Sequence, residues 1–307
     1  MSDAFLFPGQ GAQFVGMGRD LLEPGSESAA FLKAAEERLA IPLRRLMLEG
    51  PAPALQATDQ AQPAILFHSL ALLELLQKRG ARATAVAGHS MGEFAGLVAA
   101  NALTPLDALA AVQARGRAMA ASATGGTGMA AVLGLDDESV VRICGETDDV
   151  VAANFNAPGQ VVISGTDAGL DRISPRLQKA GAKRVIRLQV SGAFHSPLMA
   201  RAAETFRTAW ERVPLRRLDR PQVFNADAQE HQEPEEVRPL MVGQLTGPVR
   251  WTDTVRRLQS LGVDRFVEIG PGKTLTGLVK KILPGAVVHN IEDMTSLDAY
   301  IRTANAG

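Results

Sequence analysis

The stretch AVAGHSMGEFAGLVAA (85–100) decides how this chain of 307 residues is organised. An apolar run leads into Gly88-His89-Ser90-Met91-Gly92, and small residues that suit a closely packed helix follow. The five residues fit the pattern G-x-S-x-G, in which a strained strand-to-helix turn lifts a serine hydroxyl above a sheet. We therefore predict a strand at 83–88, a tight turn and a helix, with Ser90 as an exposed nucleophile. A second interpretation stays open, in which Ser90 only caps the helix.

Strand-like and helix-like segments alternate along most of the chain, which favours an α/β fold with a mostly parallel sheet. Residues 125–190 differ, because they read as strand, helix, two strands, helix and strand, the ferredoxin-like order. We therefore predict a catalytic domain of residues 1–124 and 191–307 with a small domain, 125–190, inserted into it. The elements predicted in the larger domain are strands at 4–7, 83–88 and 265–270, an amphipathic helix at 62–79, and helices at 105–122, 197–212 and 235–245.

Composition and charge exclude several classes of protein. Hydrophobic residues make up 46% of the chain, and 32 basic residues nearly balance 33 acidic ones. A net charge of −1 argues against a nucleic-acid partner. The single cysteine, Cys144, forms no internal disulfide or thiolate metal site, so we expect it in a core and expect no metal. The longest apolar segment, 64–76, is too short for a membrane span and no signal peptide is evident, so we expect a soluble cytoplasmic protein without a membrane partner.

A serine nucleophile needs a base, and the chain has five histidines. His195 precedes Ser196-Pro197, which is typical of a helix start, and we expect it to follow a strand end. A helix dipole there favours the neutral imidazole that can accept a proton, so His195 is the predicted base. The other four are expected elsewhere: His68 as a satisfied core or rim residue, His231 in a solvated loop, His289 at the end of an apolar strand, and His89 with its ring directed away from Ser90.

Two glycine-containing turns lie outside this stretch. In Pro8-Gly9-Gln10-Gly11, the glycines allow the backbone N–H of Gln10 to approach a ligand, so the turn is either ordinary or an oxyanion donor. The segment EIGPGKTLTG (268–277) looks like a phosphate-binding loop but lacks its first glycine, because Val267 stands at that position. We interpret it as a structural turn before a helix.

Arg115 is predicted on the apolar face of the helix at 105–122, with Ala111, Val112 and Met119, whereas Arg117 points nearly the other way. An arginine on such a face either extends to water or pairs with an anion. The residues alone leave open whether that anion is a protein carboxylate or a substrate.

The combination of motifs resembles the malonyl-CoA:acyl-carrier-protein transacylases of bacterial fatty-acid synthesis and the related acyltransferases of polyketide synthases. The matching motifs cover nearly the whole chain: FPGQGAQ (7–13), GHSMGE (88–93), QARG (113–116), GTGMAAVLG (126–134), NFNAPGQVVISG (154–165), GAFHSP (192–197), GPVRW (247–251) and EIGPGKTLTG (268–277).

This resemblance implies an α/β-hydrolase-like core with a ferredoxin-like insertion. It implies Ser90 as the acyl-carrying nucleophile and His195 as its base. The backbone carbonyl of Gln244 would orient the histidine in place of a triad carboxylate, and the backbone N–H groups of Gln10 and Met91 would hold the oxyanion.

The resemblance also implies Arg115 as the clamp for the free carboxylate of malonate, with Phe194 typical of malonyl-selective members. The expected activity is ping-pong transfer of malonyl from malonyl-CoA to the phosphopantetheine thiol of acyl carrier protein, by a monomer with no bound cofactor and coenzyme A thioester as substrate. Lys280 and Lys281 are candidates for docking the acidic carrier, or else belong to a solvated helix face.

Three alternatives are weighed against this activity. A discrete malonyl acyltransferase serving a polyketide synthase would carry the same motifs. A serine esterase would share the G-x-S-x-G turn, but it has no general need of a buried cation, and its usual order is serine, acid, histidine. A non-catalytic acyl-binding module would not need the Ser90, His195 and Gln10 set.

Overall fold

The computed structural model describes residues 2–123 and 125–305 of the chain, which alternate between strands and helices. The strands are β1 (Asp3–Phe7), β2 (Ala85–Gly88), β3 (Thr127–Leu133), β4 (Val150–Ala157), β5 (Gln160–Thr166), β6 (Arg184–Arg187), β7 (Gln222–Val223), β8 (Glu230–His231), β9 (Arg265–Ile269) and β10 (Val287–Ile291). The helices are α1 (Ala29–Leu39), α2 (Leu43–Glu49), α3 (Ala52–Gln56), α4 (Thr58–Lys78), α5 (Glu93–Ala99), α6 (Pro105–Ser122), α7 (Asp137–Cys144), α8 (Asp167–Lys179), α9 (Ala200–Trp210), α10 (Pro234–Gly243), α11 (Trp251–Ser260), α12 (Thr274–Ile282) and α13 (Met294–Asn305).

The larger sheet has the strand order β10-β9-β1-β2-β7-β8. Neighbouring strands are parallel except β7 and β8, which confirms a mixed α/β fold with a mostly parallel sheet. All five residues of β1 are buried, as expected for a central strand covered by helices on both faces. Phe7, the last residue of β1, pairs with Gly88, so the two strands deliver their following loops to the same edge.

Helix α4 differs from its prediction. It begins at Thr58, and residues 61–73 are buried on every side, so it is not amphipathic there. The reason is its position within the main core, which it shares with apolar residues of the sheet, α1 and α6. Helix α6 matches its predicted bounds, and the side chain of Thr104 accepts the hydrogen bond that caps it.

The smaller sheet is antiparallel, in the order β4-β5-β3-β6, and α7 and α8 supply the rest of its own core. Cys144 is buried in this core, and burial raises the pKa of its thiol to about 12. The backbone of Val249 bonds to Phe155 and Ala153, which ties the edge strand β4 to the rest of the molecule. Thr124, where the two predicted domains meet, lies outside the described residues.

Two predicted boundaries near the candidate base are wrong. The strand expected to run to residue 190 ends at Arg187, so residues 188–196 form a loop. The helix expected at 197–212 begins with a 3-10 turn, Pro197–Met199, before α9. None of the described helices is both long and apolar enough to cross a membrane.

Candidate active site

Ser90 stands at the turn between β2 and α5, in a backbone conformation that side chains rarely adopt. Its φ is 52°, and a 3-10 turn, Ser90–Gly92, follows it. A Cβ on Gly88 would lie 1.9 Å from the backbone carbon of Gly92, and a Cβ on Gly92 would lie 2.2 Å from the Phe7 carbonyl oxygen. Only glycine fits at either position, which explains the G-x-S-x-G spacing as a steric requirement of the turn.

Asn225, two residues after β7, holds this turn from the side. Its Oδ1 accepts a hydrogen bond from the Ser90 N–H at 2.7 Å, and its Nδ2 donates to the Gly88 carbonyl at 2.8 Å. Strands β2 and β7 are parallel neighbours, so their carboxyl ends bring the two loops together. The strained serine is therefore fixed by contacts that its own turn cannot supply.

His195 lies against the serine hydroxyl. Its Nε2 is 2.8 Å from Ser90 Oγ, and its Nδ1 is 2.8 Å from the backbone oxygen of Gln244. A carbonyl oxygen only accepts, so Nδ1 carries the hydrogen and Nε2 is free to accept the hydroxyl proton. Burial and the positive charge of Arg115 lower the pKa of His195 to about 3, so the ring is neutral at physiological pH.

Arg115 reaches the same hydroxyl from α6. One terminal nitrogen, Nη2, donates to Ser90 Oγ at 3.0 Å and to Gln244 Oε1 at 2.7 Å, and Nη1 donates to Gln62 Oε1 at 3.0 Å. The residue is 1% exposed, so it does not extend to water, and it makes no ion pair with any carboxylate among the described residues. Among the described residues, Arg115 therefore neither reaches water nor pairs with a protein carboxylate. The oxygens that accept its hydrogen bonds are all neutral. Burial lowers its pKa to about 10.

The Gln10 loop lies directly against the serine turn. The His89 N–H donates to the Phe7 carbonyl at 2.9 Å, and a Cβ on Gly9 would lie 2.7 Å from the His89 carbonyl oxygen. Gln10 lines the pocket above Ser90, while Met91, the next residue after the serine, is buried at the start of the 3-10 turn. The two backbone segments named as oxyanion donors thus border the nucleophile.

These side chains share a pocket of about 160 Å³ between the two parts of the molecule. Ser90 lines this pocket and is 9% exposed, so the serine is more enclosed than predicted. Phe194, Met119 and Val190 form part of an apolar wall. The pocket therefore suits a short acyl group that carries one negative charge, because its lining joins a single cation, Arg115, to neutral polar and apolar side chains.

A second groove of about 150 Å³ shares Gln10, His89 and Asn156 with that pocket and extends to Thr274 and Leu278 on α12. The segment 268–277 supplies this α12 end of the groove, in agreement with its interpretation as a turn before a helix. Lys281, further along α12, donates to Gln160, another residue of the groove, at 2.9 Å.

The remaining histidines occupy other positions. His89 does not bond to Ser90; its Nε2 lies 2.9 Å from Asn156 Oδ1 at the pocket wall. His68 is buried in the core as expected, but neither ring nitrogen has a hydrogen-bond partner in the described part of the chain. His231 is in the short strand β8 and bonds to two carboxylates, and His289 lies inside β10, so both of these predictions are wrong in detail.

Sequence reasoning missed three polar residues of this site: Gln62, Glu93 and Asn225. Glu93 was visible as the last letter of GHSMGE, but an acidic residue in the first turn of a helix is common, so it gave no distinct signal. Gln62 and Asn225 carried no local signal, since each acts across more than 50 residues of sequence.

Comparison with known proteins agrees with this geometry. The acyl transferase domain family matches residues 4–306. A malonyl CoA-acyl carrier protein transacylase of Bacillus subtilis is 40% identical over 98% of this chain and 96% of its own length, and one from Staphylococcus aureus is 42% identical over 97% of each.

The chain belongs to the malonyl-CoA:acyl-carrier-protein transacylase family. Solved structures show the same transacylase fold. An acyl-carrier-protein S-malonyltransferase from Burkholderia pseudomallei has a TM-score of 0.94 at 39% identity, covering 98% of this chain and all of the other. A malonyl-transacylase solved in complex with a type II polyketide-synthase acyl-carrier protein has a TM-score of 0.93 at 37% identity, over 99% of this chain and all of the other.

Proposed function

We propose that this acyltransferase moves a malonyl group from malonyl-CoA to the phosphopantetheine thiol of acyl carrier protein through acyl-Ser90. The observation that carries the proposal is the meeting of three groups at one atom. Ser90 Oγ lies 2.8 Å from the His195 base and 3.0 Å from a buried arginine that has no carboxylate partner in the described residues. A malonyl group on this oxygen would bring its distal carboxylate to the guanidinium, whose planar fork matches a carboxylate.

In the first half-reaction, Ser90 Oγ attacks the thioester carbonyl and its proton passes to His195 Nε2. The backbone N–H groups of Gln10 and Met91 hold the negative charge on the carbonyl oxygen. The carbon–sulfur bond then breaks, and the coenzyme A sulfur leaves with the proton from His195. In the second half-reaction, the carrier thiol gives its proton to His195 and attacks the acyl carbon, and Ser90 Oγ regains the proton as it leaves.

Burial lowers the pKa of His195 and keeps the ring neutral, so that it can accept the serine proton. The resulting imidazolium, disfavoured by burial and by the charge of Arg115, then gives the proton to the leaving sulfur. The Gln244 carbonyl orients the ring without the permanent negative charge of a triad aspartate. No step needs a bound cofactor, since the coenzyme A thioester enters as substrate.

We also propose how the chain divides into domains. We assign residues 1–124 and 191–307 to an α/β-hydrolase-like catalytic domain and 125–190 to a ferredoxin-like insertion. The support is the glycine-flanked serine at the carboxyl end of a parallel strand, and the β-α-β-β-α-β order of β3 to β6 with α7 and α8. We place the enzyme in the cytoplasm as a monomer.

The carrier is proposed to dock beside α12. Lys281 bonds to a residue of the second groove, so an acidic carrier held by Lys280 and Lys281 could direct its phosphopantetheine arm along that groove to Ser90. One relative is solved in complex with a type II polyketide-synthase carrier, so the alternative in which the carrier belongs to a polyketide synthase stays open. An esterase is disfavoured, because hydrolysis does not require the buried Arg115.

Mass spectrometry of the intact protein tests the mechanism. Incubation with malonyl-CoA should add one malonyl group to Ser90, and only a carrier with its phosphopantetheine arm should remove it quickly. Ser90→Ala should remain folded and unmodified, and His195→Ala should acylate about 10²- to 10⁴-fold more slowly. An adduct on Ser90→Ala would place the nucleophile elsewhere, and rapid loss of the adduct to water alone would favour an esterase.

A further inference from the structure

Glu93 is a buried carboxylate that the proposed mechanism does not use. It is the first residue of α5, three positions after the nucleophile, and it is 1% exposed. It does not line the pocket and makes no ion pair with any cation in the described part of the chain. Burying a carboxylate costs free energy unless its oxygens accept hydrogen bonds, so Glu93 needs donors in the protein interior.

Two donors meet the two carboxylate oxygens. Oε1 accepts from the backbone N–H of Asn225 at 2.6 Å, and Oε2 accepts from the side-chain Nε2 of Gln244. The first bond holds Asn225, whose side chain fixes the Ser90 turn. The second connects Glu93 to the residue whose carbonyl orients His195 and whose side chain contacts Arg115.

The bond to Gln244 decides which way round its amide lies. An ionised carboxylate only accepts, so it selects the NH₂ group of Gln244, whose Nε2 also donates to the Ser90 carbonyl at 3.1 Å. The amide oxygen is then left facing Arg115 Nη2 at 2.7 Å. The reversed amide would place an NH₂ group against the guanidinium, where donor would face donor.

We propose that Glu93 is a positioning residue for Arg115. By fixing the amide of Gln244, it presents an acceptor that holds the guanidinium beside Ser90, and so it sets the preference for acyl groups with a distal carboxylate. This role rests on the proposed function of Arg115 as the malonyl clamp. Acetyl-CoA has no distal carboxylate, so its transfer depends on His195 and the oxyanion donors but not on this chain of contacts.

Glu93→Gln tests the role with little change in volume. The new amide can donate to Gln244 as well as accept from it, so it no longer selects one orientation. The measured quantity is the ratio of kcat/KM for malonyl-CoA to kcat/KM for acetyl-CoA, taken at about pH 8.5, above the pKa of about 8 that burial gives Glu93. We expect this ratio to fall about 10- to 100-fold, the range for losing a hydrogen bond to a charged group.

Glu268→Gln is the matched control. Glu268 is also fully buried and accepts two backbone N–H bonds, from Leu275 and Thr276 at the start of α12. It should lose thermal stability and keep the wild-type ratio. An unchanged ratio in Glu93→Gln, with both substrates slowed equally, would show a merely structural residue and overturn the proposal.

A double-mutant cycle with Gln244→Met locates the effect. Methionine removes the amide and keeps the backbone carbonyl that faces His195. If Glu93 acts through this amide, the double variant should lose no more of the ratio than Gln244→Met alone. Additive losses would contradict that route.

A second variant covers the case in which Glu93→Gln is unstable. If Glu93→Gln does not fold, Glu93→Asp takes its place, because it keeps the charge and withdraws the carboxylate from Gln244. A lowered ratio then supports the positioning role, and a wild-type ratio overturns it.

A failure of the proposed function can be told apart from a failure of this inference. A wild-type enzyme without malonyl preference would defeat the proposed function, whereas full preference in both Glu93 variants would defeat only the role of Glu93.

Discussion

Two arginines are buried in the described part of the chain, and their surroundings are opposite. Arg265, the first residue of β9, is 9% exposed and donates from Nε and Nη2 to the two oxygens of Asp3, each at 2.7 Å. Its guanidinium also lies 5.3 Å from the centre of the Tyr300 ring. The bond to Asp3 raises the pKa of Arg265 above its usual value. Arg115 is 1% exposed, has neutral acceptors, and has a pKa lowered to about 10 by burial.

The difference separates an arginine that stabilises the fold from one that can receive a ligand. Asp3 and Arg265 are paired at the amino ends of β1 and β9, where Arg265 is already neutralised. Arg115 lies beside the carboxyl ends of the strands, where open α/β sheets bind ligands, and among the described residues no carboxylate pairs with it directly, since Glu93 acts on it only from beyond ion-pair distance. A buried cation of that kind gains most from an anion that arrives with the substrate.

Arg115→Ala should have the largest effect on the reaction. We expect malonyl transfer to fall by about 10²- to 10⁴-fold, because two charged hydrogen bonds to the distal carboxylate are lost. Acetyl transfer should change little, so the preference should invert. Steady-state kinetics with both thioesters measures this.

Arg117→Ala is its control, since Arg117 lies two residues away on α6 and is exposed. It should leave both rates near wild type. Equal slowing of malonyl and acetyl transfer by Arg115→Ala would make Arg115 a structural residue like Arg265.

Arg265→Ala should destabilise the fold without changing the selectivity. Removing one partner of a buried ion pair leaves Asp3 uncompensated, and the free energy of unfolding should fall by about 3–5 kcal/mol. Chemical denaturation measures this loss, and the malonyl-to-acetyl ratio of the folded protein should stay at the wild-type value. A changed ratio would mean that the two ends of the sheet are coupled.

Sequence reasoning predicted the parts of this site that local constraints determine. The serine turn follows from Gly88 and Gly92, whose spacing is steric, and the place of Arg115 on the apolar face of α6 follows from helical periodicity. The periodicity could not say what faces the guanidinium, because Gln62 is 53 residues away and Gln244 is 129. The residues alone therefore left a protein carboxylate and a substrate equally open.

Local sequence patterns also failed to predict some elements of the fold. The alternation of strands and helices predicted the class and the central parallel strands, which are apolar and bounded by turns. It missed β7 and β8, which have two residues each and too little sequence for a pattern. Asn225 follows β7, so the residue that clamps the nucleophile turn was missed together with its strand. Tertiary contacts also made α4 a buried helix where the sequence predicted an amphipathic one.

Arg115→Lys should have a smaller effect than the alanine variant. Lysine keeps the charge but presents one ammonium group in place of a planar fork, so it cannot bind a carboxylate with two parallel bonds. We expect the malonyl-to-acetyl ratio to fall about tenfold, between the wild type and Arg115→Ala. A wild-type ratio would show that charge alone selects malonyl, and that the geometry around Gln62 and Gln244 is unimportant.

The smallest predicted effect is a pH dependence of selectivity. Burial raises the pKa of Glu93 to about 8, while bonds from Asn225 and Gln244 and the charge of Arg115 oppose the rise. The charged groups that act on Glu93 are Arg115 and Asp227, and the pKa of Arg115, about 10, lies well above 8. As the pH falls through about 8, the protonated carboxyl gains an O–H that competes with Arg115 for the amide oxygen of Gln244.

The malonyl-to-acetyl ratio should therefore decrease as the pH falls through that value, by less than the loss in Glu93→Gln. Single-turnover acylation, followed at a series of pH values, measures it without the carrier thiol. Because both substrates acylate the same serine with the same base, effects of pH on Ser90 and His195 cancel in the ratio. In Glu93→Gln the ratio should be independent of pH over this range. A wild-type ratio that stays constant would mean that Glu93 keeps one charge state throughout, and that Arg115 alone determines the selectivity.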